Sequence, residues 1–322
     1  MLAAFTLLAV GARSSHALEI ADYPALVALV ETMVREDEYP RAELERILSD
    51  AEIKPSVIRL MNRQSEALPW HEYREIFINR RRIADGVAFW DAHEATLQRA
   101  AAEFGVPPKV VVALIGVETH FGTRTGDNRV LDSLVTLTAD YPRRSAFFGG
   151  ELRAFLNTAR AEGIAADSVL GSFAGAIGIP QFMPTSYEAY AVDFNGNGRR
   201  DLNFDPEDAI GSVANYLKRH GWREGEAILA TLTDEIPAAA VELATRRAKP
   251  TLSAAQLHAA GATFDATGGS DRMALLHLRE AGRDRYIVGF RNFYAITRYN
   301  PSVNYAMAVA ELAQQINAER AE

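Results

Sequence analysis

The sequence predicts a mainly α-helical (α+β) protein, in which an N-terminal helical domain and a helical core are followed by one small β-containing insertion. Three observations predict it. Apolar residues recur at helical spacing through the first third and again at the end, prolines and glycines stand where helices would start and stop, and β-prone runs are confined to one late segment. At 322 residues the chain exceeds the size at which a single core usually stops growing, so more than one lobe is expected.

Residues 1–17 are expected to be a signal peptide that exports the chain. Met1 to Val10 is almost wholly apolar, and Ser15-His16-Ala17 offers a small-x-small cleavage pattern before Leu18. The run is about half the roughly 20 residues that a membrane span needs, and Arg13 and His16 interrupt it, so no transmembrane segment is expected. The competing reading is an amphipathic N-terminal helix of a cytosolic protein, which the lack of a positive n-region favours.

Residues 18–105 read as the N-terminal helical domain. Its apolar faces are Leu26-Val27-Leu29-Val30-Met33-Val34, Leu44-Ile47-Leu48, and Val87-Phe89-Trp90 through Leu97, punctuated by Tyr39-Pro40, Lys54-Pro55 and Leu68-Pro69. Residues 106–225 form the helical core. One helix starts at Pro107-Pro108, because proline suits a first turn, and ends near Gly122; others run from Ser145 to Ala161 and from Pro206 to Arg219. Residues 226–292 read as a small α/β insertion, with Pro237, Pro250 and a Gly-Gly-Ser at 268–270. Met273 to Leu278 and Tyr286 to Phe290 are its strand candidates, and Phe293 to Thr297, just after it, is a third. Residues 293–322 return to the core and end in a helix carrying Met307, Val309 and Leu312.

Composition narrows the chemistry. There are 34 Lys and Arg against 42 Asp and Glu, a net charge of −8, which disfavours a nucleic-acid groove. Cysteine is absent, which removes disulfides, zinc–thiolate sites, thiol nucleophiles and a lipidated N-terminal cysteine. Carboxylate, hydroxyl, amide and imidazole chemistry remain.

The most informative stretch is Val110-Val-Val-Ala-Leu-Ile-Gly-Val-Glu118-Thr-His-Phe-Gly122. On a helix Glu118 shares a face with Val111, Leu114 and Ile115, so its side chain is aimed inward. Desolvation and the negative end of the helix dipole both raise the pKa of such a carboxyl. A glutamic acid kept protonated near neutral pH is what a general acid needs for donating to a glycosidic oxygen. The competing reading sets Glu118 past the helix end, paired at the surface with Arg124 or Arg129. A two-carboxylate glycosidase would also need a partner; Asp127, Asp132 and Asp140 are candidates that spacing alone does not place.

A second stretch, Gly171-Ser-Phe-Ala-Gly-Ala-Ile-Gly-Ile-Pro-Gln-Phe-Met-Pro-Thr-Ser, has glycines at spacings that let backbone approach backbone or a ligand. Ser172 and Gln181 add neutral hydrogen-bonding groups. It reads either as a tight inter-helix loop or, beside an inward glutamate, as a sugar-binding strap. A third, Asp193-Phe-Asn195-Gly-Asn197-Gly-Arg199, matches the opening of an EF-hand loop: oxygens at positions 1, 3 and 5, glycine at 6 and a backbone carbonyl at 7. Phe204 stands at position 12, where a glutamate is expected. A turn that binds no ion is the alternative.

Together with Asp205-Pro-Glu-Asp-Ala-Ile-Gly-Ser-Val-Ala-Asn-Tyr-Leu-Lys-Arg-His-Gly-Trp and the late Asn292-Phe-Tyr-Ala-Ile-Thr-Arg-Tyr-Asn-Pro-Ser-Val-Asn-Tyr, these motifs resemble the lytic murein transglycosylase B family, from about Tyr73 to Val309. The resemblance implies a lysozyme-like core with a small β-containing lobe. It also implies cleavage of the β-1,4 bond between N-acetylmuramic acid and N-acetylglucosamine of peptidoglycan without water, leaving a 1,6-anhydromuramoyl end. Glu118 would be the sole catalytic carboxylate, first acid and then base. Ser172 would bond the N-acetyl carbonyl, Asn300 would help orient it, and Gln181 would contact a neighbouring sugar. Tyr73, Tyr216, Tyr299 and Tyr305 would line the cleft, presenting ring faces to sugars and hydroxyls to their polar edges, and Arg143 and Arg144 would engage peptide-stem carboxylates. Asp208 would close a weak structural calcium site with Asp193, Asn195, Asn197 and Arg199. The implied partners are glycan strands and proteins of wall synthesis or division. A hydrolytic muramidase and a non-catalytic peptidoglycan-binding scaffold are the competing functions.

Overall fold

The computed structural model describes residues 17–63, 68–232 and 235–322, so the export signal expected over residues 1–17 lies, but for Ala17, outside the described residues. The chain runs through helices α1 (Pro24–Glu36), α2 (Arg41–Ser49), α3 (Pro55–Asn62), α4 (Trp70–Phe77), α5 (Arg80–Ala92), α6 (Glu94–Phe104) and α7 (Pro108–Thr119). A two-residue strand β1 (Asn128–Arg129) leads into α8 (Val130–Asp140) and α9 (Ser145–Glu162); β2 (Leu170–Gly171), α10 (Pro184–Tyr190) and α11 (Pro206–Arg219) follow. The late segment contains β3 (Leu229–Thr231), α12 (Ala238–Val241), α13 (Ala254–Ala259), β4 (Ala274–Glu280) and β5 (Arg283–Gly289). The chain then returns through α14 (Arg291–Thr297) and α15 (Val303–Ala321).

Proline sits in the first turn of α1, α3, α7, α10 and α11, where its missing N–H costs no helical hydrogen bond. Asp205 caps α11 by accepting from the amides of Glu207 and Asp208. α7 is the central helix of the core. Val110 to Val112 is a β-branched run that local propensity would send into a strand, yet every residue from Val110 to Val117 is buried, and burial on all sides overrides the propensity.

One apolar core runs from Leu26 through Trp70, Leu114, Phe148 and Phe293 to Ile316, joining the N-terminal helices to the central ones. A smaller second core gathers Ala240, Leu257, Phe264, Met273, Leu275, Val288 and Phe290. The antiparallel sheet, in the order β3-β5-β4, separates the two. Ala274, Leu276 and Leu278 on β4 pack into the main core, while Met273 and Leu275 face the small one, so side-chain alternation divides a single strand between two cores. The main-core face of this sheet packs against α4 and α15.

Phe293 to Thr297 is helical, within α14, and not the strand its composition suggests. Asn292, Phe293 and Ile296 bury one helical face, and the Asn292 amide nitrogen donates to the carbonyls of Arg223 and Glu226, 2.8 Å each. Tertiary burial and this side-chain anchor outweigh the β preference of Phe, Tyr, Ile and Thr. The helix expected to reach Gly122 stops at Thr119, because His120 takes a left-handed conformation at φ 50°.

Candidate active site

Glu118 lies one residue before the end of α7, half-buried, with its carboxyl crowded by protein. Desolvation pushes its pKa from the ordinary 4.5 up to about 7, against the opposing effect of a hydrogen bond from the Tyr305 hydroxyl to Oε1 at 2.5 Å. The surface pairing with Arg124 or Arg129 is not formed: Arg129 bonds Asp50 and Asp132, and Glu118 takes a phenol. Asp132 is turned toward the N-terminal domain, accepting the Glu52 amide at 3.0 Å, and Asp127 and Asp140 are exposed. None of the three is among the groups that shift Glu118.

The end of α7 is pinned from three directions. Arg82, itself buried, donates to the Gly116 carbonyl at 2.8 Å. His120 Nε2 lies 2.7 Å from an Asp85 carboxylate oxygen. Thr119 donates its hydroxyl to the Ile179 carbonyl at 2.8 Å while accepting the Gly122 amide at 3.0 Å. Arg82, Asp85 and Thr119 thus fix the acid's backbone, and sequence reading missed them: the Arg82 and Asp85 partners are tens of residues away, and no spacing rule pairs them.

Tyrosines surround the carboxyl. The Glu118 charge helps raise the phenol pKa of Tyr73, Tyr216, Tyr299 and Tyr305, although burial is the larger cause in each. Tyr299 packs on Tyr216 at 4.6 Å and on Phe182 at 5.7 Å, and Tyr190 and His220 extend the cluster. Three of the four hydroxyls expected to meet sugar edges are already committed. Tyr216 donates to the Arg298 carbonyl at 2.6 Å, Tyr299 to that of Pro180 at 2.5 Å, and Tyr305 to Glu118. A buried phenol needs such a partner, so these three position the site, and Tyr73 keeps the uncommitted hydroxyl among the described residues.

The glycine-rich stretch meets this wall at the Pro180 carbonyl, which Tyr299 bonds, and at Phe182, which packs on Tyr216 and Tyr299. A Cβ on Gly171 would lie 2.2 Å from the Ala176 carbonyl oxygen, and one on Gly178 would lie 2.2 Å from that of Leu202, so backbone does approach backbone here. Ser172 Oγ accepts the amides of Ala174 and Ala176 at 3.3 and 3.0 Å, which leaves its O–H to donate. Gln181, at φ 51°, donates its Nε2 to the carbonyls of Thr125 and Gly178, 2.9 Å each, and keeps Oε1 as an acceptor. Asn300 is exposed, and its oxygen accepts the Ser302 amide at 3.1 Å. Arg143 lines a cavity of about 460 Å³ with Met61, Asn62, Arg63 and Tyr141, and Arg144 lies over the Phe147 ring at 4.1 Å. Neither arginine has an ion-pair partner among the described residues.

The Asp193 loop has the internal stitching of an EF-hand opening. Asp193 accepts the amides of Gly196, Asn197 and Gly198; Asn195 accepts that of Asn197, and Asn197 that of Arg199. Phe204 is 86% exposed and supplies nothing. Asp208 is fully buried, with its oxygens accepting the amides of Phe194 and Asn195 on one side and Asp201 on the other, so it ties the loop neck. Burial raises its pKa in spite of those bonds. Among the described residues no three acidic or imidazole side chains converge as a metal cage. The all-oxygen set of Asp193, Asn195, Asn197 and the Arg199 carbonyl suits a hard cation such as calcium, with low charge.

Residues 22–314 match the transglycosylase SLT domain family. The chain belongs to that family. It is 41% identical over 309 residues, 92% of this chain and 84% of the relative, to membrane-bound lytic murein transglycosylase B of Escherichia coli K12. The structure of the Escherichia coli lytic transglycosylase Slt35 in complex with calcium superposes with a TM-score of 0.87 at 41% identity, covering 96% of this chain and 98% of that one. SltB3 of Pseudomonas aeruginosa, in complex with NAG-NAM-pentapeptide, gives a TM-score of 0.80 at 29% identity over 90% of this chain and 78% of that one. This transglycosylase therefore has the expected lysozyme-like, mainly helical fold, and it is an enzyme, a lytic transglycosylase of murein.

Proposed function

We propose that this transglycosylase cleaves the MurNAc-β-1,4-GlcNAc bond without water, with Glu118 as its single acid and then base. The observation that carries the reading is a carboxyl held near pKa 7 by burial, bonded to Tyr305, with no second carboxylate among the described residues acting on it. The protonated carboxyl gives its proton to the bridging oxygen, which departs as the 4-hydroxyl of GlcNAc. The N-acetyl carbonyl oxygen closes on the anomeric carbon to form an oxazolinium species. Glu118, now an anion, takes the proton of the muramoyl 6-hydroxyl as that oxygen attacks the same carbon, which reopens the ring and restores the acid. No water is consumed, so one carboxylate suffices where a hydrolase needs two.

Ser172, whose hydroxyl keeps its proton to donate, is the donor for the N-acetyl oxygen, and Asn300, whose Oδ1 accepts the Ser302 amide, offers Nδ2 to help orient that group. Gln181 Oε1 accepts from a sugar hydroxyl, and Tyr73 offers its ring and hydroxyl. Arg143 and Arg144, exposed and without an ion-pair partner among the described residues, meet carboxylates of the peptide stems. Calcium, when bound by Asp193, Asn195, Asn197 and the Arg199 carbonyl, supplies rigidity to the loop ahead of α11; Asp208 holds that loop's neck. The chain is exported to the periplasm, where its substrate lies and where wall-synthesis or division proteins would localise it.

The test is Glu118→Gln, which keeps shape and hydrogen bonding but has no proton to give. Binding to purified glycan strands is expected to persist while release of muropeptides from sacculi disappears. Release at the parent rate would overturn the assignment.

A further inference from the structure

Between the insertion and helices α4 and α15 lies an open cavity of about 730 Å³, within the range of roughly 300–1,000 Å³ typical of ligand sites. Arg246, His277, Arg279 and Tyr286 come to it from the insertion, and Ser302 and Asn304 from the start of α15. Among the described residues that line it none is acidic, although acids outnumber bases 42 to 34 in the chain. Arg246 is exposed and has no ion-pair partner among the described residues. His277 stacks on Tyr286 at 5.0 Å and bonds Asp284, which turns the ring face into a wall of the cavity.

The opening turn of α15 adds to this charge. Ser302 caps it by accepting the Tyr305 amide at 3.4 Å, so the amides of Val303 and Asn304 have no helical partner and face the positive end of a 19-residue helix. The position is equally telling. Ser302 precedes Tyr305 by three residues and Trp70 precedes Tyr73 by three, and these two tyrosines flank Glu118. The cavity thus begins about one helical turn, roughly 5 Å along each helix, from the groups around the acid. The Asn304 side chain, donating to the Leu68 carbonyl at 2.9 Å, braces α15 against the segment before α4 at this junction.

We infer that this cavity is a subsite for the carboxylate-bearing peptide stem of the strand whose sugars lie at Glu118, an inference that rests on the proposed function. Sugars bring hydroxyls and little charge, so an exposed Arg246, a helix start and no acid among the described lining residues are not what a sugar subsite needs. The anions of this substrate are on its stems. Arg246 meets a stem carboxylate, the amides at the start of α15 donate to a second carboxylate oxygen, and Tyr286 packs against the aliphatic part of the chain. The insertion thereby reads stems along the strand and adds affinity for cross-linked or intact wall over bare glycan.

Two measurements test this. The acidic tetrapeptide released from peptidoglycan by an amidase is titrated calorimetrically into the wild-type protein and into Arg246→Glu, an exposed position where folding is checked by circular dichroism. The dissociation constant is expected to rise at least about 10-fold, as for loss of a charge-assisted contact. An unchanged constant, or no binding by the wild type, overturns the subsite. In parallel, the ratio of kcat/KM on stem-bearing strands to kcat/KM on stem-free glycan is expected to fall at least about five-fold in Arg246→Gln; equal losses on both substrates would mean a sugar contact and also overturn it. Failure of the wild type to make anhydro ends from either substrate would defeat the proposed reaction, while the peptide titration would still report on the cavity.

Discussion

Tyr305 donates its hydroxyl to Glu118 Oε1 across 187 residues of chain, joining the last helix to the end of the central one. The bond favours the carboxylate, whereas burial favours the acid, and burial wins: the group rests at about 7. A carboxyl balanced there is protonated often enough to donate at neutral pH and acidic enough to let the proton go.

This balance sets the pH profile. The first step needs protonated Glu118, so kcat/KM is expected to fall as pH rises through about 7. Tyr305→Phe removes the donor that stabilises the anion, so the alkaline limb should move upward, and turnover should drop by roughly 10-fold or more because the developing carboxylate loses its partner. Initial rates on soluble glycan strands across pH 4 to 9 measure both. A limb that stays in place would show that another group controls it.

The same burial makes Glu118 a destabilising residue at alkaline pH. Its folded-state pKa lies above its unfolded value of 4.5, so the native state binds more protons between the two, and stability is lost as pH rises from 4.5 through about 7. Glutamine does not titrate. Glu118→Gln is therefore expected to raise the melting temperature at pH 8, by up to about 3 kcal/mol of stability, and to leave it nearly unchanged at pH 4. Calorimetric melting at the two pH values checks the sign; equal effects at both would mean the carboxyl is not strained by burial.

Gly178 is at φ 72°, and a Cβ there would meet the Leu202 carbonyl oxygen at 2.2 Å, whereas Gly196 at φ 75° has open space around it. Gly178→Ala is expected to cost about 2 kcal/mol or more and Gly196→Ala about 1 kcal/mol, since only the first adds a backbone clash to the strained φ. Urea unfolding of the two variants compares them. Similar costs would mean that the strap tolerates a shift from Leu202.

Excess calcium is expected to raise the melting temperature by a few degrees, and a chelator to reverse it, because an ion that binds only the native loop stabilises it in proportion to RT ln(1 + [L]/Kd). Asp193→Ala should abolish the shift. No shift in the parent protein would mean that the loop is a turn closed by its own amides.

Much of the fold was legible in local pattern. Proline and apolar periodicity marked α1, α7 and α11, and the inward aim of Glu118 followed from its helical neighbours. The glycines of the strap were read from spacing, and their close approaches are present. What was not legible depends on long-range contact. Phe293 to Thr297 has strand composition and helical burial, and only the packing of Asn292 and Phe293 decides between them. The hydroxyls of Tyr216 and Tyr299 were expected at sugars and are held by the carbonyls of Arg298 and Pro180, partners that lie 82 and 119 residues away in sequence. The Arg82 and Asp85 anchors of the catalytic helix are invisible for the same reason.

Mass spectrometry of muropeptides released from purified sacculi in isotopically heavy water tests most directly whether a single carboxylate does the chemistry. Glu118 acting alone gives anhydromuramoyl ends, one water lighter than reducing ends and free of the heavy oxygen. Reducing ends that carry the label would mean that water attacks, and that a second group outside the one-glutamate scheme must activate it.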